Sequence, residues 1–541
     1  MSRNFRLFAV SETSFAMKNA VRILHLVSIF LFFPVLVFGA PDVLIRNANR
    51  AATEYRQSLE QLADWARKKG FHEEAVLTLK VITPQAPDKL YFPNFPLETG
   101  TLDLPRGLPT VLPREYTALF RPTEQSGTDK VETEKSASRQ RELSDREIWQ
   151  IQFRTLRQNH ARSLNAMARN AAKNDRGTLA IQMAVVGLQA DPDHPAFRNV
   201  FGYTKYKGQW RTPWEADRLR KNYVDHETFG WMPKKAVDRY EKGERYLDGK
   251  WVSADEEARF RQGRIENGWK IESEHYDLYT NHSIEEGVRL IRRLEDVYQV
   301  WKLTFFRYMA SDPQLATLFD GKNTPMPQRR HRIVLYRNKE DFHRHLQAEM
   351  NIDTSRFAGF YRHGNNKDGC YFYSVDPGAA DWERQNVIRT MYHEATHQLF
   401  VETRKSVGAY GREQNYWLVE GVATFMESLH REGDDYYVLG GSKDWRLQSA
   451  RRMKKTQSFD DMCRLNYTAF VNHDEMNDLY RQSAAMFHFL FFFEDGRWRD
   501  PLTVYLRTVY DAKDDTSTLR KLTGVSYDEL DSLFQNYLKS R

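Results

Sequence analysis

Residues 393–397 read His393-Glu394-Ala395-Thr396-His397. On a helix, positions four apart lie about 40° apart around the axis, so both imidazoles project from one face. Two neutral imidazoles so placed can fill two coordination positions of a zinc ion. Glu394, beside them, can take a proton from a water held by that metal. The surrounding residues 386–400 contain no Pro or Gly, and Val387, Ile388, Met391, Ala395, Leu399 and Phe400 form an apolar stripe next to the histidines. Ala395, Thr396 and Gln398 are uncharged, which suits a half-buried metal helix. The alternative is a surface helix carrying two incidental histidines.

A zinc ion that keeps one position open for water needs a third protein ligand. Downstream, residues 416–427 contain Trp417-Leu418-Val419-Glu420-Gly421-Val422-Ala423, with Glu420 at the head of an amphipathic stretch. Gly421 and Ala423 are small enough to let a second helix pack tightly against the first. His-Glu-x-x-His followed by Trp-Leu-x-Glu-Gly-x-Ala resembles the gluzincin metallopeptidases. That resemblance implies one zinc per chain, with His393, His397 and Glu420 as ligands and Glu394 as catalytic base. Should Glu420 not serve, Glu402, Glu427 or His430 is the next choice. The same residues resemble an uncharacterised family of secreted bacterial proteins defined as a domain of unknown function. This likeness covers roughly residues 270–540.

A donor to the developing oxyanion would assist amide hydrolysis. Tyr480 is the first candidate: it opens a helix whose Ser483, Ala484 and Phe487 share its face, and similar metallopeptidases often place a tyrosine or histidine there. Its other reading is a packing residue. Tyr361, Tyr410, His473 and His488 read as core or surface residues. Glu402 or Glu427 could accept the second N–H of a ligand histidine, although solvated surface fits either one better.

Composition frames these motifs. The chain has 541 residues, 13% of them aromatic, which points to a folded protein of more than one domain. Of the net charge of +7, residues 1–40 contribute +3 and the rest +4, no footprint for nucleic acid. Lys18 and Arg22 precede an apolar run through residue 40, the pattern of a secretory signal, with Met17 a second possible start. A retained membrane anchor is the rival reading. With a cleaved leader the chain is expected outside the cytoplasm, secreted or in the periplasm and cell envelope, and away from the membrane. The two cysteines, Cys370 and Cys463, could pair in an oxidising compartment.

The expected fold is α+β: a zincin-like catalytic domain, with a small mixed sheet and two motif helices, behind a mainly helical region. Residues 41–122 read as a helical pair and a Pro-rich segment, 123–144 as a polar linker, and 145–200 as a helical region resembling one tetratricopeptide unit. In 201–268, Gly208-Gln209-Trp210 and Gly249-Lys250-Trp251 begin two copies of a small module. Thr212 with Glu215, and Ser253 with Glu256, form capping boxes there. The tryptophans could bind a glycan or cell-wall polymer, but such residues more often pin a module together. Residues 269–430 read as the catalytic core and 431–541 as a helical subdomain. Within the core, residues 370–375 are the candidate strand for adding a substrate backbone, as the resemblance implies. The leading function is a secreted zinc peptidase acting on a peptide or protein. A cell-wall peptide amidase would use the same residues, and an extracellular binding protein with an inactive zincin domain is the third reading.

Overall fold

The computed structural model describes residues 43–120 and 142–540, apart from 95–96, 99, 323, 325, 327–328, 355–357, 365–367, 377, 405 and 407. The expected leader at 1–40, and the linker at 123–144 up to residue 141, lie outside the described residues. No helix among the described residues is long and apolar enough to cross a membrane. The chain divides into two compact units. One takes in Val224–Val297 and Arg329–Gly408, the other Leu44–Tyr223, Tyr298–Gln328 and Ala409–Arg541.

The first unit is organised by a five-stranded mixed sheet: β1 (Trp269–Glu272), β2 (Tyr276–Thr280), β3 (His331–Tyr336), β4 (Gly359–Arg362) and β5 (Gly369–Tyr373). Their order across the sheet is β4-β5-β3-β2-β1. β3 runs parallel to β2 and β5, while β4 and β1 are antiparallel to their neighbours. All five residues of β5 are buried, as expected of an interior strand. The expected substrate strand at 370–375 is therefore not available over residues 370–372, where β5 pairs with β3 on one side and β4 on the other. The edge beside it is β4. Helix Lys339–Met350 follows β3, with Asn338 accepting a hydrogen bond from the Asp341 N–H as its cap.

Helix α1 (Asp381–Thr403) carries the pentapeptide, and every residue from His393 through Glu402 is buried. The uncharged Ala395, Thr396 and Gln398 point to a half-buried helix. The helix is instead fully buried over this half, while its first turn is exposed at Asp381 and Trp382, and Gln398 donates a hydrogen bond to the sheet.

The second unit is mainly helical. Helices Val43–Lys68 and His72–Lys80 pack with Asp145–Lys173 around Leu59, Leu62, Ala63, Ala66, Trp149 and Phe153. The Trp149 indole N–H donates to the Thr78 hydroxyl at 2.9 Å. Of two further helices, α2 (Tyr416–Met426) is buried throughout and α3 (Met476–Phe492) from Gln482 onward, and Phe425 of α2 meets Phe487 and Phe491 of α3 at 5.0 and 5.1 Å. A three-stranded sheet joins Lys89–Pro93, Tyr436–Gly440 and His430–Glu432. These strands fall in the Pro-rich stretch and in the segment after Glu427, where the sequence points to connection and to helix.

The module around Trp210 is a hairpin, Thr204–Tyr206 with Gln209–Arg211, feeding helix Pro213–Arg220 through a complete Thr212/Glu215 capping box. The copy around Trp251 is again a hairpin feeding a helix, where the Ser253 side chain accepts from the Glu256 N–H as the cap. Between them lies a third hairpin-sized pair, Tyr223–His226 and Gly230–Pro233, followed by a short helix. The two copies visible in the sequence are thus the first and last of three similar units.

Candidate metal centre

His393 and His397 stand one turn apart on α1, with ring centroids 4.7 Å apart and planes at 78°. Their Nε2 atoms face each other at 3.0 Å. Two nitrogens each about 2 Å from a tetrahedral zinc lie about 3.3 Å apart, so the observed spacing is close to what a shared cation requires. His393, His397 and Glu420 each offer one ligand atom, all lying within 4.8 Å of one another, and all three residues are buried. Two imidazoles and one carboxylate suit a borderline divalent metal. The donor set therefore fits a divalent ion.

Sheet contacts fix the direction in which α1 presents these histidines. The Tyr361 backbone N–H on β4 donates to Glu394 Oε2 at 2.9 Å. The Cys370 thiol on β5 lies 3.3 Å from Gln398 Oε1 and 3.4 Å from the Glu394 carbonyl. The Gln398 amide donates to the Arg332 carbonyl on β3 at 3.1 Å and to Glu402 at 3.3 Å. His331 Nδ1 on β3 lies 2.8 Å from Glu402 Oε2, and the Tyr361 hydroxyl donates to Oε1 at 3.4 Å. Three strands thus hold one face of α1, leaving the pitch of the helix to set the histidine face.

Burial pushes the Glu402 carboxyl up, but the hydrogen bond and charge of His331, with Arg329 behind them, bring it below its ordinary value overall. Burial, reinforced by the negative charges of Glu394 and Glu402, raises the Cys370 thiol well above its usual range, so it keeps its proton. Both cysteines are free and buried, so the pairing considered from the sequence is not formed.

On α2, the Tyr416 hydroxyl donates to Glu420 Oε1 at 2.5 Å. Burial first, and then the charge of Glu420, raise the Tyr416 phenol well above its ordinary value, keeping it a donor. Gly421 lets α2 approach another helix closely, but that helix is α3. A Cβ at Gly421 would lie 3.0 Å from the Ser483 carbonyl oxygen and 3.5 Å from the Phe487 Cβ. Tyr480 sits in the second turn of α3 rather than opening it, is 7% exposed, packs edge-on against Phe470 at 5.2 Å and lies within electrostatic reach of Tyr416.

Of the remaining candidates, Tyr361 reaches Glu394 through its backbone N–H, and the others fall elsewhere. Glu402 and Glu427, expected on the solvated surface, are both buried, each beside a partner distant in sequence. Glu402 pairs with His331, and Glu427 receives two hydrogen bonds from Arg446, at 3.0 and 2.8 Å. His430 is exposed and lies 2.8 Å from the Ser428 carbonyl. Tyr361 and Tyr410 are buried, the latter against Tyr510 at 4.9 Å. His488 Nδ1 lies 2.8 Å from the Tyr537 hydroxyl, and His473 accepts from the Glu475 N–H. Sequence reasoning missed Tyr416, Gln398 and His331. Only Tyr416 carried a local signal, its four-residue spacing from Glu420.

The site and its surroundings define a zincin-like arrangement: a small mixed sheet, a buried His/His/Glu triad and the two helices that carry it, preceded by helical modules. Residues 387–508 match the family described as "Protein of unknown function (DUF1570)". The match contains His393, Glu394, His397 and Glu420. No match to the chain was found among curated proteins.

Proposed function

We propose that this chain is a zinc-dependent hydrolase that cleaves amide bonds in peptides or proteins. The observation that carries this reading is the buried triad, with its three ligand atoms within 4.8 Å of one another, on the same helix as a carboxylate held by a strand N–H. In this reading His393, His397 and Glu420 hold the zinc. Bound there, zinc supplies Lewis acidity to a water and to the substrate carbonyl.

Glu394 is the general base. It takes the proton of the attacking water and returns it to the leaving amine. The Tyr361 N–H donates to Oε2, which orients the carboxylate for that transfer. Tyr480 is the proposed oxyanion donor. The leader reading of residues 1–40 places this activity outside the cytoplasm.

The test combines metal analysis with hydrolysis of a mixed peptide library. Wild type should hold about one zinc per chain, and His393→Ala should hold none. Glu394→Gln should retain the metal while losing about 10²–10⁴-fold in rate. Full activity in Glu394→Gln would refute the assignment. Casein and purified peptidoglycan as parallel substrates separate a general peptidase from a cell-wall amidase.

A further inference from the structure

The segment entering α2 is built more tightly than a simple connection requires. Asn415, immediately before the helix, is fully buried and left-handed, at φ 56°. Asparagine tolerates this conformation better than most residues. Its backbone N–H donates to the Cys463 carbonyl at 2.9 Å, and its amide donates to Asp514 Oδ2 at 2.7 Å and to the Asp515 carbonyl at 3.1 Å. The Tyr505 hydroxyl donates to Asn415 Oδ1 at 2.5 Å. The Tyr416 N–H then donates to the Leu465 carbonyl at 3.0 Å.

The Tyr416 ring is held as firmly as its backbone. Tyr467 and Phe470 meet it edge-on, each at 5.2 Å. Gly411 also approaches it closely: at φ 66°, a Cβ there would lie 2.7 Å from the Tyr416 ring. With backbone and ring both fixed, the phenolic oxygen has little freedom. It lies 2.5 Å from Glu420 Oε1, one helical turn further on.

We propose that Tyr416 is a positioning residue for Glu420: its hydroxyl holds Oε1, fixing the carboxylate rotamer so that the other oxygen is presented to the metal and Glu420 binds through one oxygen. The inference rests on the reading of Glu420 as a metal ligand. Glutamate has three side-chain torsions to order, and a fixed donor removes much of that cost before metal arrives. One-oxygen binding also preserves the open position that a hydrolytic zinc needs. Partners that orient metal ligands in this way are worth 10- to 100-fold in affinity.

The experiment measures zinc affinity of the full chain by chelator competition for wild type, Tyr416→Phe, Glu420→Ala and the double variant. Far-UV circular dichroism confirms that each is folded. Phenylalanine keeps the ring between Tyr467 and Phe470 and removes only the hydroxyl. We expect Tyr416→Phe to bind zinc about 10- to 100-fold more weakly than wild type. In the Glu420→Ala background the same change should have no further effect, because Tyr416 acts through that carboxylate. Wild-type affinity in Tyr416→Phe would overturn the proposal, as would an equal loss in both backgrounds, which would mark a general packing role. Should the wild type bind no zinc, the metal reading itself fails, a result distinct from either of these. If Tyr416→Phe does not fold, Tyr416→Leu, which fits within the same space and lacks the hydroxyl, is read against the same two outcomes.

Discussion

Gly421 sets how closely the Glu420 helix approaches α3, and Gly421→Ala tests that spacing. The added methyl carbon would lie 3.0 Å from the Ser483 carbonyl oxygen, whereas ordinary contact begins at 3.4 Å, so the helices must part locally by about 0.4 Å. The oxygen belongs to the backbone of α3 and cannot rotate away as a side chain would. Overpacking of this kind costs about 1–3 kcal/mol. Alanine returns about 1 kcal/mol through its better helix propensity. The net expectation is a loss of about 0–2 kcal/mol. Gly421→Val should lose more, since its branched side chain meets the same wall and lacks alanine's propensity. Thermal unfolding followed by circular dichroism compares the three proteins. A shift of about 0.4 Å next to Glu420 approaches the ~0.5 Å tolerance of a functional constellation, so zinc affinity should fall in the same order. An alanine variant more stable than wild type, with valine equally well accepted, would refute the packing argument. Reduced stability with unchanged metal affinity would refute its link to the ligand.

Two further predictions concern the buried carboxylates. Because the folded state holds the Glu402 carboxyl below its ordinary value, its contribution to stability is present above the unfolded value of about 4.3 and is lost as pH falls through the folded one. In chelator, Glu402→Gln should therefore unfold at lower temperature than wild type at pH 7, with the gap narrowing as pH falls below about 4.3; a gap independent of pH would contradict this. For Glu427, whose side chain is 2% exposed and joined to Arg446 by two hydrogen bonds, Arg446→Ala should cost about 3–5 kcal/mol by stranding a buried charge. Replacing both partners with apolar residues of similar volume should cost much less. Equal midpoints for the single and double variants would show that the stranded charge is not the cause.

Local patterns in the sequence proved readable where one element supplies its own explanation. The Thr212/Glu215 capping box spans only four residues, and it is observed complete at the head of its helix. The pentapeptide helix likewise needs no distant partner to place two histidines on one face. The sheet at Lys89–Pro93 shows the opposite case. Its partner begins at Tyr436, and no local propensity encodes a pairing across that separation. A five-residue strand beside prolines reads as a connection until its partner is known.

The same distinction explains the errors around the candidate centre. Glu402 and Glu427 read as solvated because an isolated carboxylate belongs in water. Their burial depends on His331 and Arg446, which lie far away in sequence. Gly421 correctly announced a close approach but could not name the neighbour, because a missing side chain is complementary to any helix. Tyr416 is the instructive intermediate. Its spacing from Glu420 was visible, yet in an apolar run a tyrosine reads first as core. Its packing and its hydrogen bond are not alternatives here: the contacts that bury the ring are the ones that place its hydroxyl on Glu420 Oε1. The segment before α2 thereby orders a carboxylate that the motif specifies only by type.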